Sequence, residues 1–340
     1  MESILVMTHA DETGAALTKA SLEALSAGKE LSARLGAEIR IGIVAAQPGP
    51  LCKGLPYVVL AVQGEAFAQA RFATDAAACE AMCRAAQASI VLAPHSSRFA
   101  RVMAAVAHRL GGQIDTHVAA IGSKEGVEAS RWFYRQRIEA VLARAARPWF
   151  LLLDAGTHAP FACDVNAQPD EISVAVQLPE IRTEVTGMRA PEQSRQTIRP
   201  DAKLLFVAGA GWTKKQLDGQ VRAEEAGKLI LGFLAASGAS LGSSKSLVDQ
   251  GGEGNSVLPF LTHLNQVGQT GSTPRHPRGL ATCCHGEEPH VVGWRFIGER
   301  RAISLDPNCG WTRGKADVVY VADAFKVMER LNALLTQATR

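Results

Sequence analysis

The sequence is poor in aromatic residues, which fill 6% of its 340 positions and include only 3 tyrosines. That composition argues against an aromatic-rich β-sandwich and suits small-residue helices packed closely on a sheet. No apolar run reaches the ~18 residues needed to cross a bilayer. The start, Met1-Glu2-Ser3 followed by an apolar strand, has neither the basic opening of a secretory signal nor an Arg-rich transit segment. No CxxC pair exists; the seven cysteines stand scattered at 52, 79, 83, 163, 283, 284 and 309. Reduced thiols in a cytoplasmic protein are the expectation. Neither sign of charge dominates: 36 basic against 33 acidic residues leave a formal net charge of +3, so no nucleic-acid partner is expected from charge. With 47% hydrophobic and 20% charged residues, a mainly disordered chain is excluded.

What is present is an alternation of short apolar runs and helical periodicity, with a length that suits two domains. Ile4-Leu5-Val6-Met7 reads as a buried strand. Leu17, Ala20, Ala24, Gly28, Leu31 and Leu35 then draw one helix face. Strands are expected at 38–44, 57–62 and 90–93, and helices at 76–88 and 101–110, the last ended by Gly111-Gly112. The runs at 141–145 and 149–153 read as edge strands. Residues 185–200 turn polar and carry Pro191 and Pro200. A second α/β unit restarts at Leu204-Leu205-Phe206-Val207, with a helix over about 216–236, strands near 279–283, 301–305 and 318–321, and a closing helix from about Ala322. The fold class is α/β, two domains, each a mostly parallel sheet flanked by helices. The domains are placed at 1–185 and 201–340, with a linker at 186–200.

Four segments carry chemistry. Gly209-Ala210-Gly211 after a strand resembles the opening of a dinucleotide-binding unit, or is a plain turn. Gly238-Ala239-Ser240-Leu241-Gly242-Ser243-Ser244-Lys245-Ser246 combines small residues, hydroxyls and a cation, which suits a pyrophosphate or an anionic ring edge, or a solvated loop. Gln266-Val267-Gly268-Gln269-Thr270-Gly271 is the most distinctive. Its glycines and the Thr270 hydroxyl can face one side of a planar heterocycle. Cys283-Cys284-His285-Gly286-Glu287-Glu288-Pro289-His290 has metal-ligating atoms, but strand neighbours point to opposite faces, so no metal is expected there. Cys79 and Cys83 read as small buried residues. His9, His95, His108 and His117 have no partner spacing and read as surface or satisfied core residues, and no site is found in the first domain.

The run from Gln266 to Gly271 resembles a signature of the electron transfer flavoprotein alpha subunit family. Leu241-Gly242-Ser243-Ser244-Lys245-Ser246-Leu247-Val248-Asp249 is similar to that family's VGASRxAVD segment, and Val321-Ala322-Asp323-Ala324-Phe325-Lys326-Val327 to its VADLFKV. Residues 91–121 look like its strand–helix–strand. The resemblance implies a Rossmann-like C-terminal domain that binds FAD, a heterodimer with a beta subunit, and electron transfer from flavin dehydrogenases to a membrane quinone oxidoreductase. It places Gly209 and Gly211 at a cofactor turn, Ser244 and Lys245 beside the flavin, and Val267, Gly268, Gln269 and Thr270 along its ring. It likewise assigns His285, Gly286, Glu287, Glu288, Pro289 and His290 to a second flavin loop, and Ser304 and Asp323 to the adenosine end. Lys245 stands where the family has arginine and Ser304 where it has asparagine. Glu287 and Glu288 set two carboxylates beside a cofactor that becomes anionic when reduced. That motivates the alternative, a flavin-free structural subunit of the same fold. An NAD-linked dehydrogenase would need a complete GxGxxG and an acid/base pair, and neither is evident.

Overall fold

The computed structural model describes residues 2–11, 13–123, 126–134, 138–164, 166–187, 198–199, 202–249, 256–267, 275–282, 297–307, 309 and 316–338. The chain divides into two compact units, Met1–Arg189 and Ala190–Arg340. Each is a parallel-sheet body flanked by helices.

In the first unit, β1 (Ser3–His9), β2 (Glu38–Ala45), β3 (Val58–Gln63), β4 (Ile90–Pro94), β5 (Gln113–Gly122), β6 (Glu128–Phe133), β7 (Ile138–Ala143), β8 (Trp149–Leu153) and β9 (Glu171–Ser173) form a nine-stranded sheet. Its order is β7-β6-β5-β8-β4-β1-β2-β3-β9. The run from β5 to β9 is parallel, and β6 and β7 add an antiparallel edge. The helices are α1 (Lys19–Leu35), a short α2 (Gly49–Cys52), α3 (Phe72–Ala86) and α4 (Ser97–Arg109).

Strand alternation sorts the core onto the two faces of this sheet. Ile4 and Val6 of β1 pack with Leu25 and Leu31 of α1, while Leu5 and Met7 pack with Met82 of α3 and Val102 and Val106 of α4. Thr18 starts α1 by accepting the Ser21 N–H, and Gly36 ends it at φ 61°. Gly28 is what lets α1 lie on β1, since a Cβ there would fall 2.4 Å from Val6 Cγ2.

The expected edge strand at 149–153 is instead central. β8 lies between β4 and β5 and all five of its residues are buried. A short apolar run is equally compatible with an edge or a sheet centre, and burial on both faces decides it. Strand β7 does lie at the edge.

The second unit holds β10 (Leu204–Ala208), β11 (Ser240–Ser243), β12 (His276–Thr282), β13 (Ile297–Ser304) and β14 (Val318–Val321). With it go α5 (Ala223–Ser237), a short α6 (Lys245–Asp249) and α7 (Ala324–Ala338). The five strands are parallel throughout, in the order β11-β10-β12-β13-β14. Phe206 of β10 and Ile303 of β13 pack with Ile230 and Phe233 of α5 and Phe325 and Met328 of α7.

Helix α5 begins at Ala223, later than the sequence predicts. Residues Ala210–Thr213 form a buried 3-10 turn, followed by a tight turn at Gly219 (φ 79°). Of the two readings open for Gly209 and Gly211, the structure shows a turn, with α5 starting only at Ala223. Trp212 explains the detour: it is fully buried, its indole N–H donates to Thr282 Oγ1 at 2.8 Å, and its ring stands 4.6 Å from that of Phe325. No helix among the described residues is long and apolar enough to cross a membrane.

Candidate functional site

In the second unit, β10, β11, β13 and β14 each bring a residue or segment singled out from sequence to the same end of the sheet. Because the strands are parallel, their carboxyl ends align: Ala208 pairs with Ser243 and Thr282, Thr282 with Ile303, and Ser304 with Val321. Gly209 and the turn with Gly211 follow β10, Ser244 and Lys245 follow β11, Ser304 ends β13, and Asp323 follows β14. In chain order the sheet reads 2-1-3-4-5, and ligands of open parallel sheets bind outside the carboxyl ends, where strand order reverses. A cavity of about 620 Å³ lies elsewhere, against Leu204 at the amino end of β10 and its β12 neighbours Arg278 and Leu280.

Val267 is carried to this edge by a short anchored stretch. Thr262 and Asn265 cap a 3-10 turn reciprocally, and Asn265 Nδ2 donates to the Leu241 carbonyl at 3.3 Å. Gln266 forms a parallel bridge with Ser243, and the Val267 N–H donates to the Ser243 carbonyl at 3.0 Å. The Val267 side chain is buried with Leu205 and Val207. Its N–H and side chain are thus engaged in holding the segment to β11. Gly268, Gln269 and Thr270 lie outside the described residues, as do His285, Gly286, Glu287, Glu288, Pro289 and His290.

The remaining named residues have local partners. The Ser244 N–H donates to the Ala208 carbonyl at 2.9 Å, and its hydroxyl accepts the Leu247 N–H at 3.3 Å. Lys245 is 44% exposed and its Nζ stands 3.5 Å from Asp249, which also faces His263 Nδ1 at 3.7 Å. The buried Ser304 hydroxyl accepts the Asp306 N–H at 3.2 Å and donates to the Asp306 carbonyl at 3.1 Å. Asp323 caps α7 by accepting the Phe325 N–H at 2.8 Å. Gly209 and Gly211 are buried, and the Gly209 N–H donates to the Thr282 carbonyl.

One further group sits at the same edge. Ser243 Oγ is buried and has no hydrogen-bond partner among the described residues. A buried hydroxyl without a partner is costly, and an arriving polar group would satisfy it. This is the feature of the edge that fits a nucleotide cofactor.

A family model for the electron transfer flavoprotein domain matches residues 6–179, just over half of the 340-residue chain. The chain belongs to the electron transfer flavoprotein family. No curated protein matches it. In this family member the matched stretch runs from β1 to beyond β9 and so coincides with the nine-stranded sheet. The edge described above belongs to the other unit.

Two features of this family member escaped the sequence reading. Ser243 was one hydroxyl among several in its segment, and only burial distinguishes it. His95 and His117, which have no partner spacing, have rings 3.9 Å apart in the fold. Spacing rules reach neither, because the burial of Ser243 is set by tertiary packing and the histidine contact joins separate strands.

Proposed function

We propose that this chain is the alpha subunit of a heterodimeric electron transfer flavoprotein, binding FAD at the carboxyl ends of β10–β14. In that role it passes electrons from flavin-dependent dehydrogenases to a membrane quinone oxidoreductase, as a cytoplasmic protein. The domain at 1–185 serves as scaffold and docking surface for the beta subunit, 186–200 as linker, and 201–340 as a Rossmann-like FAD-binding domain. One observation carries this reading. Residues separated by more than a hundred positions, among them Gly209, Ser244, Lys245, Ser304 and Asp323, end at one sheet edge beside a buried hydroxyl in want of a partner among the described residues.

FAD, when bound, supplies reversible electron uptake, and the protein sets access and potential. Ser243 offers a hydrogen bond at the floor of the edge. Lys245 adds positive charge, which favours the electron-rich form of the cofactor. His290 is a second donor on the flavin loop, and Ser304 and Asp323 serve the adenosine end. Gly268, Gln269 and Thr270 would line the planar ring, as the family resemblance implies. The experiment is co-expression with the beta subunit, purification, and release of bound cofactor. One FAD per heterodimer, reducible by a flavin dehydrogenase, is the expected result; an assembled, colourless pair that takes up no FAD would refute it.

A second reading, a flavin-free structural subunit, draws on the engagement of Ser244, Ser304 and Asp323 in local hydrogen bonds. The same measurement separates the two.

A further inference from the structure

We propose that His95, His117 and Asp154 form a binding site for a divalent first-row transition ion of the zinc class, on the carboxyl edge of the nine-stranded sheet. The three residues come from three neighbouring strands: His95 follows β4, His117 lies in β5, and Asp154 follows β8, in the sheet order β5-β8-β4. One ligand atom from each lies within 4.8 Å of the others. Asp154 Oδ1 stands 3.1 Å from His117 Nδ1 and 3.8 Å from His95 Nδ1. A tetrahedral ion bonded at ~2.0–2.1 Å separates its donor atoms by ~3.3 Å, and the two distances bracket that value.

The backbone is shaped to bring the donors together. β5 pairs Asp115 with Leu151 and Val118 with Leu153, so β5 carries one extra residue there, a bulge. His117 sits in it at φ 56°, in the left-handed region that few residues other than glycine enter, histidine, asparagine and aspartate more readily than the rest. Such outliers mark functional positions when the surrounding structure maintains them. It does so here: the Asp154 N–H donates to the Val118 carbonyl at 3.0 Å, and the His95 N–H to the Leu153 carbonyl at 2.7 Å. Arg131 is a cation near this cluster; Asp115 stands 3.5 Å from it and is shared with Arg144. Side-chain exposures of 20% for His95, 28% for Asp154 and 59% for His117 leave the cluster open to solvent. Three protein donors with water in the remaining position are the composition of an open zinc-type site, and imidazole with carboxylate suits zinc, cobalt or nickel better than calcium or magnesium.

The test uses tag-free full-length chain stripped with chelator and titrated with Co²⁺ as a spectroscopic probe. One Co²⁺ per chain with visible ligand-field bands, displaced by Zn²⁺, is expected. His117→Asn tolerates the positive φ and removes the imidazole, and Asp154→Asn removes the charge. Each should weaken binding beyond the ~10–100-fold that losing a ligand's supporting hydrogen bond costs. Circular dichroism of both variants checks that the fold persists. Absence of the Co²⁺ bands overturns the proposal. So does wild-type affinity in both variants, which would assign the ion to other histidines or to the Cys283-Cys284 segment.

Discussion

Val267 packs its isopropyl group into the space that Gly242 leaves empty: a Cβ built on Gly242 would fall 2.6 Å from Val267 Cγ2. This contact, with the Val267–Ser243 hydrogen bond, ties the stretch preceding Gly268 to β11. Gly242→Ala should destabilise the second unit by ~1–3 kcal/mol, the usual cost of overpacking, and reduce retained flavin. Adding Val267→Ala should recover part of the loss. Denaturant titration of both single variants and the double reads this, and strictly additive losses would contradict it.

Ser243→Ala separates binding from stability. The hydroxyl is buried without a partner among the described residues, so its removal should leave the flavin-free chain as stable as before or more so. Flavin content after purification with the beta subunit should fall. Unchanged FAD retention would remove Ser243 from the site.

Lys245→Ala tests the cation of the same edge. Its 3.5 Å pair with Asp249 is an i,i+4 contact of half-exposed side chains, worth no more than ~0.5 kcal/mol. Loss of flavin affinity or a lowered flavin potential in a normally folded variant is therefore expected. Spectroelectrochemistry measures it, and an unchanged potential with unchanged FAD content would refute the placement.

Thr282→Val leaves the buried Trp212 indole N–H without its acceptor and removes the hydroxyl's donation to the Val207 carbonyl. The expected loss is ~1–3 kcal/mol, because a buried unpaired donor keeps its full desolvation cost. A denaturation midpoint equal to wild type would show that the indole finds another partner.

Acid should destabilise the first unit through several groups of the same sign. Burial is the main cause that pushes His9 below its ordinary value, helped by Arg98 and opposed by the Ala10 carbonyl and Asp75. Burial does the same for His158, with Arg34 assisting and Glu30 and Glu23 opposing. The unfolded chain takes up protons near about pH 6.5 before the folded one does, so stability is full above that pH and lost below it. The Arg147 hydrogen bond holds Glu2 below the usual carboxylate range, so its contribution is lost as pH falls further, through the lowered value. With chelator present, the denaturant midpoint should drop between about pH 7.5 and about pH 5.5, and His9→Gln should flatten that drop. A midpoint that rises over that interval would run against both histidines.

Much of the secondary structure was legible from residue spacing. The apolar series from Leu17 to Leu35 coincides with α1, and Ile90-Val91-Leu92-Ala93 lies in β4. Cys79 and Cys83 are buried, as expected for small residues on a helix face, and burial pushes the Cys83 thiol up to about 12. Spacing misled at 216–222, where Trp212 turns the chain inward before α5 can start, and at β8, whose apolar run carries no mark of its place in the sheet. The candidate flavin edge was named segment by segment, but that those segments share one sheet end follows from the parallel pairing of the strands.

Period and capping are local, so residues within a turn or two of one another settle where α1, α4, β1 and β4 begin and end. Strand order is not local. It depends on which apolar faces bury one another, and it places β8 at the centre, aligns Ser243 with Ala208 and Thr282, and draws His95, His117 and Asp154 together from distant positions. Each of those groupings joins residues far apart in the chain, and only packing brings them into contact.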